Sequence, residues 1–307
     1  MKIVVIGTGG VGGYFGGLLC KGGNDVTFIG RGEHRMAILE NGLTVKSIKG
    51  DFNVKDVQIT GNIREAGPAD VIIIALKAWQ VRPLLDDIAS IVKDETVIIP
   101  LENGVSTPDE LIEKIPSRNI VGGMCRIISM IESPGVITHT GVDPVMIFGE
   151  LDGALSDRLI RIKELFAASG IDARVSADIK SEMWRKFISI CVSGLLAVCR
   201  ATYGEMREIP QTRQMMRDLM SEIYLLSKAA GVKVEPDYVD KAMAFIDTYS
   251  YDATSSLTRD VWDGKFSEIE YQNGTVVRLA ERYGIDVPLN RFVYASILPV
   301  QRRALNR

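Results

Sequence analysis

The stretch GTGGVGG, residues 7 to 13, follows the apolar run KIVVIG (2 to 7) without a break, and a helix-like stretch begins inside it. Gly7, Gly9 and Gly12 stand in the spacing G-x-G-x-x-G. Such a spacing suits a chain that leaves a strand, turns at once and enters a helix: the first glycine permits the turn, the second leaves the backbone open, and the third lets helix and strand pack closely. A second β-branched run, DVTFIG (25 to 30), completes the start of a parallel α/β sheet. In that context the loop is a cradle for the pyrophosphate of a dinucleotide. Gly7, Thr8, Gly9, Gly10, Val11 and Gly12 line it, and the positive end of the helix dipole favours the anion.

VIIIAL (71 to 76) and TVIIPL (96 to 101) are further unbroken apolar runs, as expected of parallel strands covered by helices on both faces. STPDEL (106 to 111) reads as a capping box, with Thr107 at the cap, Pro108 in the first turn and Glu110 three positions on. NIVGGM (119 to 124) and VMIFGE (145 to 150) are strand candidates, and SPGVITHTG (133 to 141) between them reads as a turn and a strand. From about Asp178 the texture changes to helical periods, with helices expected near 179–200, 210–230, 236–248 and 267–284. A chain of 307 residues exceeds one ordinary core. The expectation is a Rossmann-type doubly wound α/β domain over residues 1–177, followed by an all-α domain over 178–307.

Composition narrows the function. The net charge of −3 and the lack of a basic stripe argue against nucleic-acid and anionic-membrane partners. The longest uncharged apolar run, Phe187 to Cys199, is shorter than the roughly 20 residues that cross a bilayer and contains Ser189 and Ser193. MKIVVIG enters a strand directly, without a basic leader, so a cytoplasmic location is expected. Cys20, Cys125, Cys191 and Cys199 show no short paired spacing, and His34 and His139 are the only histidines. No metal site is expected, and acid–base chemistry must rest on Lys, Glu, Asp or Tyr.

Two charged residues stand out. Where an NAD site usually carries an acid at the end of the second strand, this chain reads FIGRGEH. Arg31 there suits the 2′-phosphate of NADPH, while Glu33 taking the ribose hydroxyls is the rival. Lys186 stands at the head of the neutral run in WRKFISICVSGLLAVC (184 to 199), either as a helix-end solubiliser or as the reactive group of a buried site.

GTGGVGG, LKAWQV (76 to 81), ENGV (102 to 105), WRK (184 to 186), SS (255 to 256) and SEIEYQNG (267 to 274), in this order and over nearly the whole chain, resemble the ketopantoate reductase (2-dehydropantoate 2-reductase) family. The resemblance implies a Rossmann domain and a helical domain with the active site in the cleft between them. It implies NADPH-dependent reduction of a 2-oxo acid to a 2-hydroxy acid, ketopantoate to pantoate, on the route to pantothenate and coenzyme A. Lys186 matches the family's catalytic lysine and Glu268 the acid of its TEI motif, here SEI, which also touches the cofactor ribose. Lys77 and Asn103 match cofactor residues, Asn103 also reaching the substrate, and Ser256 matches a serine that holds the substrate. The chemistry is coherent, because hydride arrival puts negative charge on the ketone oxygen and a lysine ammonium supplies both field and proton. Glu270 is the rival of Glu268, two residues on and facing away if the segment is helical.

The chain departs from the family where asparagines are usual on the substrate side: Ile190 and Gly194, four and eight residues after Lys186, and Ala253, three before Ser256. Ser189 and Ser193 lie near the same helix face and either replace the lost hydrogen bonds or bond the carbonyls of the preceding turn. The substrate pocket at Ile190 and Gly194 is accordingly expected to differ, which admits a different, more apolar 2-oxo acid. A β-hydroxyacid dehydrogenase also joins a Rossmann domain to helices, but Ile190 stands where its lysine is followed by asparagine. A non-catalytic NADPH sensor needs the glycine loop and Arg31 but no proton donor. A homodimer is left open, since an exposed apolar stripe cannot be told from core in the sequence.

Overall fold

A computed structural model describes residues 1–306. Contacts divide the chain into two units, Met1–Glu102 with Thr107–Ile179, and Asn103–Ser106 with Lys180 onward.

The first unit holds β1 (Lys2–Ile6), α1 (Gly10–Lys21), β2 (Asp25–Ile29), α2 (Gly32–Asn41), β3 (Leu43–Ser47), β4 (Phe52–Val54), β5 (Gln58–Thr60), β6 (Ala69–Ile74), α3 (Leu85–Ala89), β7 (Val92–Pro100), α4 (Thr107–Ile112), β8 (Gly122–Ser133), β9 (Val136–Gly149), α5 (Asp157–Ala168) and β10 (Asp172–Val175). Five strands form an all-parallel sheet in the order β5-β2-β1-β6-β7. Its apolar runs are unbroken because both faces are covered. Alternate residues enter separate cores: Ile3, Val5, Val71, Ile73, Val97 and Ile99 in one, Val4, Ile6, Ile72, Ile74 and Ile98 in the other. Strand side chains alternate sides, so only a sheet buried on both faces makes this demand. Each such Val or Ile contributes about 1.5–3 kcal/mol of burial.

A second sheet, not expected from the sequence, runs β10-β9-β3-β4, with β8 paired antiparallel to β9. NIVGGM and VMIFGE thus fall in the two arms of one long hairpin. The helix α4 begins within the STPDEL segment, at Thr107.

The second unit is helical: α6 (Ile179–Ile190), α7 (Val192–Cys199), α8 (Tyr203–Glu208), α9 (Pro210–Ala229), α10 (Tyr238–Asp247), α11 (Ser256–Trp262), α12 (Asn273–Tyr283) and α13 (Pro288–Leu305). On α9, Met216, Leu219, Met220, Ile223 and Leu226 are buried at helical spacing and meet α7 in a single core. Two helical expectations are corrected. The run 179–200 is two helices broken at Cys191, whose carbonyl accepts a hydrogen bond from the Asn273 side chain at 3.2 Å. The run 267–284 becomes helical only at Asn273. Before it, the N–H groups of Tyr271 and Gln272 both donate to the Glu268 carbonyl at 3.0 Å, closing a turn.

Candidate active site residues

The glycine loop lies between β1 and α1. Gly7 has φ of +102°, a backbone open to glycine, and a Cβ on it would stand 2.6 Å from the Ala75 carbonyl oxygen. A Cβ on Gly12 would lie 1.9 Å from the Gly7 carbonyl oxygen, so the helix closes on the turn only with glycine there. Gly9 differs: nothing stands within 4 Å of the corresponding position. Gly9 caps α1 without a side-chain bond, and the first turn carries no acid. Open space before unscreened helix N–H groups is what a pyrophosphate requires. Thr8 is buried, its hydroxyl packed over Gly30.

Past β2, Arg31 is exposed at the N-cap of α2, with Glu33 in the first turn of that helix. One turn further in, His34 accepts a hydrogen bond at Nδ1 from the Gly135 N–H at 3.0 Å. Burial pulls the His34 pKa below the ordinary histidine value, and the Thr8 carbonyl opposes that shift. Lys77, half-buried, follows β6 and opens the short 3-10 turn Ala78–Gln80, its N–H bonded to Gln80 Oε1 at 3.1 Å. The neighbouring Leu76 N–H donates to Glu102 Oε1 at 3.4 Å. Glu102, 7% exposed, thereby ties the end of β7 to the loop after β6. It was not singled out from the sequence, although it opens the ENGV motif.

In the helical unit two expected residues meet. Asn103 Nδ2 donates to Glu268 Oε2 at 3.2 Å across 165 residues of sequence. The approach is set by the backbone: Gly104 has φ of +117°, and a Cβ there would stand 2.9 Å from the Tyr271 carbonyl oxygen. Glu268 is 3% exposed, where a carboxylate needs donors. Glu270 instead sits at the surface, accepting from the Tyr294 hydroxyl at 2.7 Å and from Arg278 at 3.0 Å. The two carboxylates are separated by a turn, not by the faces of a helix.

Lys186 is half-buried on α6, and Ser189 and Ile190, three and four residues on, share its partly open stripe. Phe187, Ile188 and Cys191 point into the core and anchor the helix. Ser189 Oγ donates toward the Arg185 carbonyl at 3.2 Å and meets the Tyr238 hydroxyl at 3.0 Å, which itself donates to Arg185 O at 2.6 Å. Ser193 is buried, and its carbonyl accepts from the Thr258 hydroxyl at 2.9 Å. Of the two readings of these serines, Ser189 follows the one in which the hydroxyl turns back to its own helix. Gly194 is buried, with Asn273 Oδ1 2.5 Å and Val293 Cγ1 2.7 Å from where a Cβ would stand. Ala253 is partly buried against the helical core, and its carbonyl accepts from Tyr203 N–H at 3.0 Å. Ser256 is exposed in the first turn of α11; the cap is Ser255, accepting from Thr258 N–H at 3.1 Å. Among the described residues no cluster of three or more His, Cys, Asp or Glu is arranged to hold a metal.

A family model described as Ketopantoate reductase PanE/ApbA matches residues 3–153, and the model of its C-terminal part matches residues 178–301. The uncharacterized oxidoreductase YkpB of Bacillus subtilis is 30% identical over 298 residues, covering 97% of this chain and 98% of its own length. A 2-dehydropantoate 2-reductase of Pyrococcus abyssi is likewise 30% identical over 298 residues, covering 97% of each. The crystal structure of a PanE/ApbA family ketopantoate reductase from Ralstonia eutropha superposes with a TM-score of 0.91 at 26% identity, over 99% of this chain and 100% of that one. With both halves matched in order and relatives 30% identical over nearly the whole chain, the chain belongs to the ketopantoate reductase family of oxidoreductases.

Proposed function

We propose that the protein reduces a 2-oxo acid to a 2-hydroxy acid with NADPH, and that ketopantoate, reduced to pantoate for pantothenate synthesis, is its substrate in the cytoplasm. The hydrogen bond between Asn103 and Glu268 carries the reading. It joins two of the six motifs that mark the family and sets a polar amide and a buried carboxylate side by side.

NADPH supplies the hydride when bound. Gly7, Thr8, Gly9, Gly10, Val11 and Gly12 hold its pyrophosphate, with the open position at Gly9 facing it. Arg31, exposed and free of a side-chain capping duty, pairs with the 2′-phosphate, and Lys77 adds a second cation at the cofactor. Lys186 donates the proton to the ketone oxygen and its charge stabilises the alkoxide as it forms. Glu268 orients the reacting groups with Asn103 and accepts from a ribose hydroxyl. Ser256, exposed at the start of α11, contributes a hydroxyl to the substrate carboxylate.

A second reading, a more apolar 2-oxo acid, rests on one observation. Where the family places an asparagine there is Ile190, and the adjacent Ser189 hydroxyl is engaged with Arg185 and Tyr238. A side-chain hydroxyl on the substrate would find fewer partners, which weakens discrimination for ketopantoate. Steady-state kinetics of NADPH oxidation over a panel of 2-oxo acids separates the readings. Ketopantoate preferred by a wide margin supports the first, an alkyl or aryl 2-oxo acid preferred supports the second, and no turnover on any of them overturns both in favour of a cofactor-binding sensor.

A further inference from the structure

We propose that Gln301, on the last helix, is a positioning residue for Glu268; the proposal rests on the role given to Glu268 above. Ser267, the residue before Glu268, belongs to no helix or strand. Its N–H donates to Gln301 Oε1 at 2.8 Å, its Oγ donates to the same oxygen at 3.0 Å, and Gln301 Nε2 donates back to the Ser267 carbonyl at 3.0 Å. One side-chain amide thus satisfies both backbone groups of one residue, as a neighbouring strand would. Ser267 is 1% exposed and Gln301 4%.

On the other side of the carboxylate, the Glu268 carbonyl takes the N–H groups of Tyr271 and Gln272. Residue 268 is therefore clamped by Gln301 before it and by its own turn after it. The side chain that emerges from this clamp is the one that accepts from Asn103. At the other end of α13, Glu222 accepts from the N–H groups of Leu289 and Asn290 at 2.8 and 3.0 Å. Without the Gln301 amide, the buried N–H and C=O of Ser267 lose their partners, and such groups are restored only by movement of the segment. A shift of about 1 Å in a group that orients reactants costs on the order of a hundredfold in rate.

The test is a double-mutant cycle between Gln301→Ala and Glu268→Gln, read in kcat/KM with ketopantoate, in NADPH affinity by fluorescence, and in thermal stability. Gln301→Ala is expected to lower kcat/KM by about tenfold to a hundredfold. In the Glu268→Gln background it should change kcat/KM and NADPH affinity less than about twofold, because the group it positions has already lost its charge. Ser267→Ala removes one of the three bonds, leaves the backbone pair intact, and should follow the same pattern at smaller amplitude; it carries the cycle if Gln301→Ala does not fold. Full additivity, with loss of stability but no coupling to Glu268, overturns the proposal and leaves Gln301 a structural residue. An unimpaired Glu268→Gln overturns the reading of Glu268 itself and the positioning role with it.

Discussion

Asn273 donates its side-chain amide to the carbonyl of Cys191, and the helix that carries Lys186 ends there. The same amide donates to Asn290 Oδ1 at 3.0 Å, so its oxygen is left pressed toward Gly194. The break after α6 and the glycine at 194 are two sides of one packing arrangement.

Gly194→Ala should therefore destabilise the protein. The new methyl would meet Asn273 Oδ1 at 2.5 Å and Val293 at 2.7 Å, and Asn273 cannot swing away without giving up two buried hydrogen bonds. A loss of about 1–3 kcal/mol is expected from overpacking, measured by urea denaturation. Gly194→Asn, the family residue, should be worse rather than restorative, and an unchanged midpoint would sink this packing account.

Lys186→Ala should lower kcat by about a hundredfold to ten-thousandfold, the range for loss of a general acid, while NADPH affinity measured by fluorescence titration holds within a few-fold. A variant that loses cofactor binding instead would move Lys186 from proton donor to cofactor residue.

Arg31→Ala should weaken NADPH binding by about tenfold to a hundredfold, the equivalent of one charge-assisted hydrogen bond at an exposed site, and leave NADH binding unchanged. Because Arg31 is exposed, the wild-type preference should shrink as salt is raised. Equal loss for both cofactors would return the choice between them to Glu33.

How much of this was legible in the sequence depended on where the cause of each feature lies. The parallel sheet was visible because residues such as Val4, Val5, Ile72 and Ile73 are buried on alternate faces, which leaves a solid apolar run. The second sheet was not: β3 and β4 are short, and Lys46 and Asn53 interrupt them on the solvent side. SEIEYQ has helical composition, yet the Glu268 carbonyl and Gln301 hold it as a turn, and Gln301 lies 34 residues away. The break at Cys191 has no glycine or proline within two residues to announce it, and the side chain that bonds its carbonyl lies 82 residues further on. α13 was hidden by Pro299 inside it, a residue that usually ends helices. The candidate site residues were proposed from motif order; the Asn103–Glu268 contact that joins two of them is tertiary.

His34 gives the fold a pH dependence of known sign. Burial holds its folded pKa below the ordinary value, so at pH values just under about 6.5 the unfolded chain binds a proton that the folded chain refuses. Stability from this group is present above about pH 6.5 and is lost as the pH falls toward the folded pKa. Protonation at Nδ1 also removes the acceptor for the Gly135 N–H, which ties the start of α2 to the turn between β8 and β9. The melting temperature of the wild type should accordingly decline as the pH falls below about 6.5, and His34→Gln should flatten that decline while lowering stability at neutral pH. A variant whose melting temperature follows the wild-type pH curve in parallel would show that another group titrates there.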